Sequence, residues 1–175
     1  MKRLALAIAI SLSVIVSGCE TFPKNDIEIA TEADPKTNFS GYKTYAWLGS
    51  AQILNDPEGN WEPPGFDADS FITTVVDREL ANRGMTQTTR YPDMLLAYAL
   101  GVDTAMMKVQ EDPEAQLTVL ENVPSGALVI VMMDPETEFV TWAGVAVAEL
   151  QNQGDEIAKK RIDYAITQMF KQMPK

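Results

Sequence analysis

The sequence predicts an α+β fold, an antiparallel sheet of about five strands with two helices packed on one face, in the order β-β-α-β-β-β-α. Three observations carry that expectation. Apolar residues alternate with polar or small ones over several short stretches, the period of a half-buried strand. Two other stretches repeat at helical spacing instead, Ile72, Val76, Leu80 in the middle and Ala158, Ile162, Ala165, Ile166, Met169 at the end. Proline, glycine and aspartate mark the turns between them.

The chain begins with Lys2 and Arg3, and an apolar run from Leu4 to Val16 follows. As a helix those 13 residues would cover about 20 Å, short of the roughly 30 Å hydrocarbon core of a bilayer. Basic start, short apolar segment and the small-residue box Val16-Ser17-Gly18-Cys19 together resemble a bacterial lipoprotein signal, predicting a signal peptide over residues 1–18. Cys19 is the only cysteine, so it has no disulfide partner within the chain. The resemblance implies that Cys19 is lipidated and becomes the first residue, carrying two or three acyl chains, palmitate among them. A single chain would hold only marginally. Residue 20 is Glu rather than Asp, which by the same resemblance favours the outer membrane, facing the periplasm.

Residues 19–25 read as the lipidated cysteine and a short tether, and 26–175 as a single domain. Asp26 to Glu32 alternates as a first strand, broken by Asp34-Pro35. Tyr42 to Leu48, rich in aromatics, is a second. Gly49 to Phe66, with Asp56-Pro57 and Pro63-Pro64-Gly65, reads as a long loop, a length that suits function or mobility. Asp67 to Arg83 is the first helix, capped by Asp67 or Asp69 and stopped by Gly84, with Asp77, Arg78, Asn82 and Arg83 toward water. Met94 to Val102 places large side chains on one strand face and Leu95, Ala97, Ala99 and Gly101 on the other. Asp103 to Val123 is polar and irregular, with one or two helical turns at Glu114–Leu120. Gly126–Met133 and Phe139–Ala148 form a hairpin about Asp134–Glu138, the first of the pair central in its sheet. Asp155 caps the last helix, which Pro174 ends.

Composition bounds what this domain can do. Removing residues 1–18 leaves 157 residues, enough for one ordinary core. The net charge of −11 becomes −13, because the leader carries two cations and no acid. Such a chain is repelled by nucleic acid and by anionic lipid headgroups. There is no histidine, which removes the commonest general base and metal ligand.

Ala33-Asp34-Pro35, then Phe39-Ser40-Gly41-Tyr42-Lys43-Thr44-Tyr45-Ala46-Trp47, Val76-Asp77-Arg78-Glu79-Leu80 with Arg83-Gly84, and Pro92-Asp93-Met94-Leu95-Leu96-Ala97-Tyr98 occur in that order. Gly126–Ile130, Val140-Thr141-Trp142-Ala143-Gly144 and the closing helix follow. This resembles the bacterial lipoprotein family of domain of unknown function 4136, over about the whole mature chain. The family often has a basic residue where this chain has Ala143. The resemblance implies a small α+β envelope lipoprotein and supplies no catalytic residue.

Asp67 with Asp69, Asp103, Glu111 and Asp134 are the carboxylates that a glycan hydrolase would draw on. Capping and turn formation account for each without catalysis. The doublets Met106-Met107 and Met132-Met133 could hold Cu(I), but methionine on strands more simply fills a core. Neither cofactor nor metal is expected. Two functional classes remain. One is a non-enzymatic module binding an envelope protein, lipid or glycan, with Trp61 and Phe66 of the long loop and the sheet edge as contacts. The other is a carboxylate-dependent hydrolase of envelope glycans.

Overall fold

The computed structural model describes residues 22–59, 61–105, 107–112, 117–122, 124–151 and 154–175, with 107–112 and 117–122 described through their backbone. In chain order the elements are β1 (Glu28–Ala33), β2 (Thr44–Asn55), α1 (Ala68–Asn82), β3 (Thr86–Gln87), β4 (Met94–Asp103), β5 (Met107–Asp112), β6 (Leu117–Asn122), β7 (Ser125–Met133), β8 (Val140–Glu149) and α2 (Asp155–Gln172). The expected α+β class, and helices on a single sheet face, are what the structure shows.

The sheet differs from the expectation in size and direction. It has six strands in the order β1-β8-β7-β4-β2-β3 and is mixed rather than antiparallel. β2 runs parallel to both β4 and β3. The reason is α1, which lies between β2 and β4 in the chain. A strand, helix and strand of this kind make a crossover that brings the second strand back alongside the first in the same direction. Gly49 to Asn55, expected in a loop, continues β2 instead, after a register shift between Trp47 and Gly49 that skips Leu48.

The stretch expected to be irregular pairs as the hairpin β5–β6, Met107 opposite Asn122 and Asp112 opposite Leu117. The helical turns expected at Glu114–Leu120 are not formed from Leu117 onward; residues 114–116 lie outside the described residues. β4 and β7 pair from Leu95–Met133 to Asp103–Ser125, and the hairpin is a separate two-stranded sheet.

The large face of β4 is the core face. Met94, Leu96 and Tyr98 are buried with Leu128, Ile130 and Met132 of β7 and Trp142 of β8. Ile72, Val76 and Leu80 of α1 and Ala165, Ile166, Met169 and Phe170 of α2 cover them. Burial at about 25 cal/mol per Å² of apolar surface makes this layer the main source of stability. Gly144 of β8 is required by it: a Cβ there would meet Trp142 Cη2 at 2.6 Å and Met169 Sδ at 2.9 Å. α1 is capped as expected, with Asp67 accepting from the Ser70 amide, and Gly84 takes φ 80° after it. α2 differs at its start, where Gly154 is the N-cap and Asp155 the first helical residue.

Among the described residues no helix lies on the second sheet face. Ala97, Ala99 and Gly101 of β4, Val129 and Val131 of β7 and Val145 and Val147 of β8 lie on it, each half-buried by its neighbours.

Candidate functional site

The outer edge of β2 is open along most of its length, as is that of β1 at the other end of the sheet. β3 pairs only with Thr44 and Tyr45, and among the described residues no strand pairs with Ala46–Asn55 on that side. Leu48, Ile53 and Leu54 are 61%, 64% and 54% exposed there. An open row of backbone donors and acceptors beside exposed apolar side chains is a template for another strand. The sequence places no proline, lysine or arginine along Ala46–Asn55 to blunt it.

The base of the same strand is fixed from below. Tyr45 Oη donates to Asp77 Oδ1 at 2.7 Å and Trp47 Nε1 to the same oxygen at 3.0 Å. Tyr98 Oη and Ser50 Oγ donate to Asp69 Oδ1, the latter at 2.9 Å. Burial, then Asp77, pushes the Tyr45 phenol well above its ordinary value. Burial, then the bond to Asp69, pushes that of Tyr98 up to about 12. Asp77 therefore does not face water as the helical pattern suggested; it staples α1 to β2. Arg83 turns inward too, donating to the carbonyls of Phe170, Met173 and Pro174.

The connection after β2 folds back on the molecule. Thr104 Oγ1 donates to Asp56 Oδ1 at 2.7 Å and the Trp61 amide to Asp56 Oδ2 at 3.0 Å. The Gly65 amide donates to Asp155 Oδ1, and the Phe66 ring packs edge-on to Phe71 with Lys159 Nζ 5.1 Å from its centroid. Trp61 and Phe66 are both half-buried. Phe66 is thereby tied to the two helices, while Trp61 stays next to the far end of the open edge.

The acids proposed for hydrolysis are separately engaged. Asp67 accepts from the Ser70 amide and hydroxyl, which holds its carboxyl below the usual range. Asp103 accepts from Asn55 Nδ2 and the Ala105 amide. Asp134 accepts from the amides of Glu136 and Thr137 and the Thr137 hydroxyl, again lowering its pKa. The Glu111 side chain lies outside the described residues. Asp134 and Asp34 line a shallow depression of about 360 Å³ around Tyr42, adjoining another of about 420 Å³ that reaches Asp93. Asp34 and Asp134 accept hydrogen bonds within their own turns, and Asp93 accepts from the Lys43 and Thr44 amides at the start of β2. Among the described residues no group of three or more acidic or cysteine side chains could hold a metal ion. Met132 is buried in the core; Met106, and the side chain of Met107, lie outside the described residues.

The start of the described chain is seated on α2. Arg161 donates to Asp26 through both terminal nitrogens, at 3.0 and 2.5 Å, and to the carbonyls of Pro23 and Glu149. That bond, chiefly, holds the Asp26 carboxyl below its usual value. Phe22 packs edge-on to Tyr164, and Lys24 Nζ lies 5.2 Å from the same ring. Cys19 lies outside the described residues. No described helix is long and apolar enough to cross a membrane.

The described residues form a two-layer α+β domain with an open strand edge. The chain belongs to the DUF4136 family, a domain of unknown function, whose model matches residues 29–175. A DUF4136 family protein from Bacteroides thetaiotaomicron shares the fold at 12% identity, with 85% of this chain and 96% of that one covered and a TM-score of 0.52. A PDZ domain protein from Parabacteroides distasonis is similar at 14% identity and a TM-score of 0.52, over 84% of this chain but only 36% of its own length. A minor lipoprotein from Acinetobacter baumannii overlaps more loosely, at 15% identity and a TM-score of 0.33, with 71% and 90% covered. No curated protein matches the chain.

Proposed function

We propose that the protein is a lipid-anchored lipoprotein of the outer membrane, facing the periplasm, and that it works without catalysis by binding a partner polypeptide along β2. The open edge at Ala46–Asn55, with Leu48, Ile53 and Leu54 exposed beside it, is the observation that carries this reading. Strand addition would satisfy the unpaired backbone groups, and the exposed side chains would select the partner. Trp61, next to the far end of the strand, supplies the aromatic part of the contact, and Phe66 holds the connection in place against α1 and α2. The anchor is Cys19, acylated after removal of residues 1–18, with 26–175 as the single domain. The basic start, the short apolar run and the Val-Ser-Gly-Cys box support it.

Photo-crosslinking in intact cells from a reactive side chain at Ile53, compared with one at Arg78 on α1, tests the reading. A defined adduct from Ile53, lost in an Ala51→Pro variant of unchanged stability, is the result expected. Equal adducts from both positions, or none from Ile53, would overturn it. A glycan-hydrolase reading has no assembled carboxylate pair to support it among the described side chains.

A further inference from the structure

We infer that the outer face of α2 is a lipid-facing surface: it lies against the anionic phospholipid bilayer that carries the anchor, through Lys24, Lys160, Tyr164 and Lys171 with Phe22 beside them. This rests on the proposed acylation of Cys19. Three peptide units separate Cys19 from Phe22, a reach of at most about 11 Å. Phe22 itself is packed on Tyr164, and the next residues are clamped to α2 by Arg161. An acyl chain entering a bilayer at Cys19 therefore brings this part of α2 to the headgroups, not some other surface.

The chemistry of the face suits that position. Positions 160, 164 and 171 follow helical spacing on the side opposite the buried Ala165, Ile166 and Met169 and the partly buried Ile162. They carry the exposed Lys171 with Lys160 and Tyr164, both half-buried, and Lys24 stands over the Tyr164 ring at 5.2 Å. Two acids of α2 are engaged elsewhere, Asp163 with Arg78 of α1 at 2.7 Å and Asp155 with the Gly65 amide, and Glu156, exposed one turn before Lys160, is offset by Lys159 at 2.9 Å. Asp26 is neutralised by Arg161. In β1, which packs beside α2, the helix-side residue Thr31 reaches Gln172, while Glu28 and Glu32 alternate to the other side of the sheet. For a chain of net charge −11 before processing, an anionic bilayer repels most of the surface and attracts this face, so the field and the tether set the same orientation. In that orientation the uncovered sheet face points away from the membrane. β2, at the end of the sheet opposite β1 and α2, stays open to a partner.

The test uses full-length acylated protein in vesicles of phosphatidylethanolamine and phosphatidylglycerol carrying a headgroup quencher. A fluorophore is placed at Gln168→Cys on α2 or at Glu32→Cys on the other side of the sheet. Quenching several-fold stronger at 168 than at 32 is expected, falling at least twofold when Lys24, Lys160 and Lys171 become Glu with melting unchanged. Equal quenching at the two positions overturns the inference, as does a charge reversal without effect. The mass of the N-terminal peptide is read first. Absence of acyl chains overturns the anchor and this inference together, whereas an acylated protein with equal quenching overturns only the orientation.

Discussion

Replacing Arg161 with alanine removes one side chain and leaves several groups stranded. Its guanidinium donates to both oxygens of Asp26 and to the carbonyls of Pro23 and Glu149. The Arg161 and Asp26 side chains are only 10% and 16% exposed, so little water can replace those bonds. Breaking a buried pair from one side costs about 3–5 kcal/mol; the residual exposure places this pair at the lower end, about 3 kcal/mol. For a domain of this size each kcal/mol lowers Tm by roughly 2–4 °C, so a fall of about 6–12 °C is expected in a thermal melt followed by circular dichroism. Because the folded Asp26 pKa is depressed, its contribution is fully present above the unfolded carboxylate value near 4 and is lost as pH falls through the folded value. The wild-type advantage over Arg161→Ala therefore shrinks as pH is taken below about 4. Replacing both partners, Asp26→Leu with Arg161→Met, should cost less than either single change. A loss under about 1 kcal/mol for Arg161→Ala, the scale of an exposed ion pair, would refute the buried clamp.

Gly144→Ala should destabilise by about 1–3 kcal/mol through overpacking against Trp142 and Met169, measured by urea unfolding. Gly101→Ala, on the uncovered face with its nearest neighbour at 3.8 Å, should be neutral or stabilising by up to about 1 kcal/mol in the same assay. Asp77→Ala takes the acceptor from Tyr45 and Trp47 and should cost about 1–3 kcal/mol. Absorbance titration of that variant should also show a phenol moving down toward its ordinary value. Leu54→Lys, at an exposed edge position, should leave Tm within about 1–2 °C of wild type while abolishing the crosslink from Ile53.

Much of this structure could be read from residue order. The helical stripes of α1 and α2, the large-and-small alternation of β4 and the centrality of β7 all follow from side-chain periodicity, which burial enforces directly. What the pattern did not disclose was direction and continuation. Gly49 to Asn55 alternates too weakly to read as strand, because both its edge and its side chains are open and nothing selects for apolar residues at every second position. The parallel pairing of β2 with β4 was implied by the strand-helix-strand order but not by any single residue. Asp77 looked solvated because its charge sits on a helix; its partners Tyr45 and Trp47 come from a strand some 30 residues away, and periodicity within α1 carries no trace of them. Phe22 to Asn25 read as part of a tether because the stretch is short and polar, and the cation that clamps it, Arg161, bonds Pro23 and Asp26 from 138 and 135 residues away.

Mass spectrometry of the N-terminal peptide, taken from the protein purified out of its native membrane, tests the anchor most directly. The account predicts a chain that starts at Cys19 bearing two or three acyl groups, and a Cys19→Ser variant that incorporates no labelled fatty acid. A wild-type chain beginning elsewhere, or beginning at Cys19 without acyl groups, would contradict it.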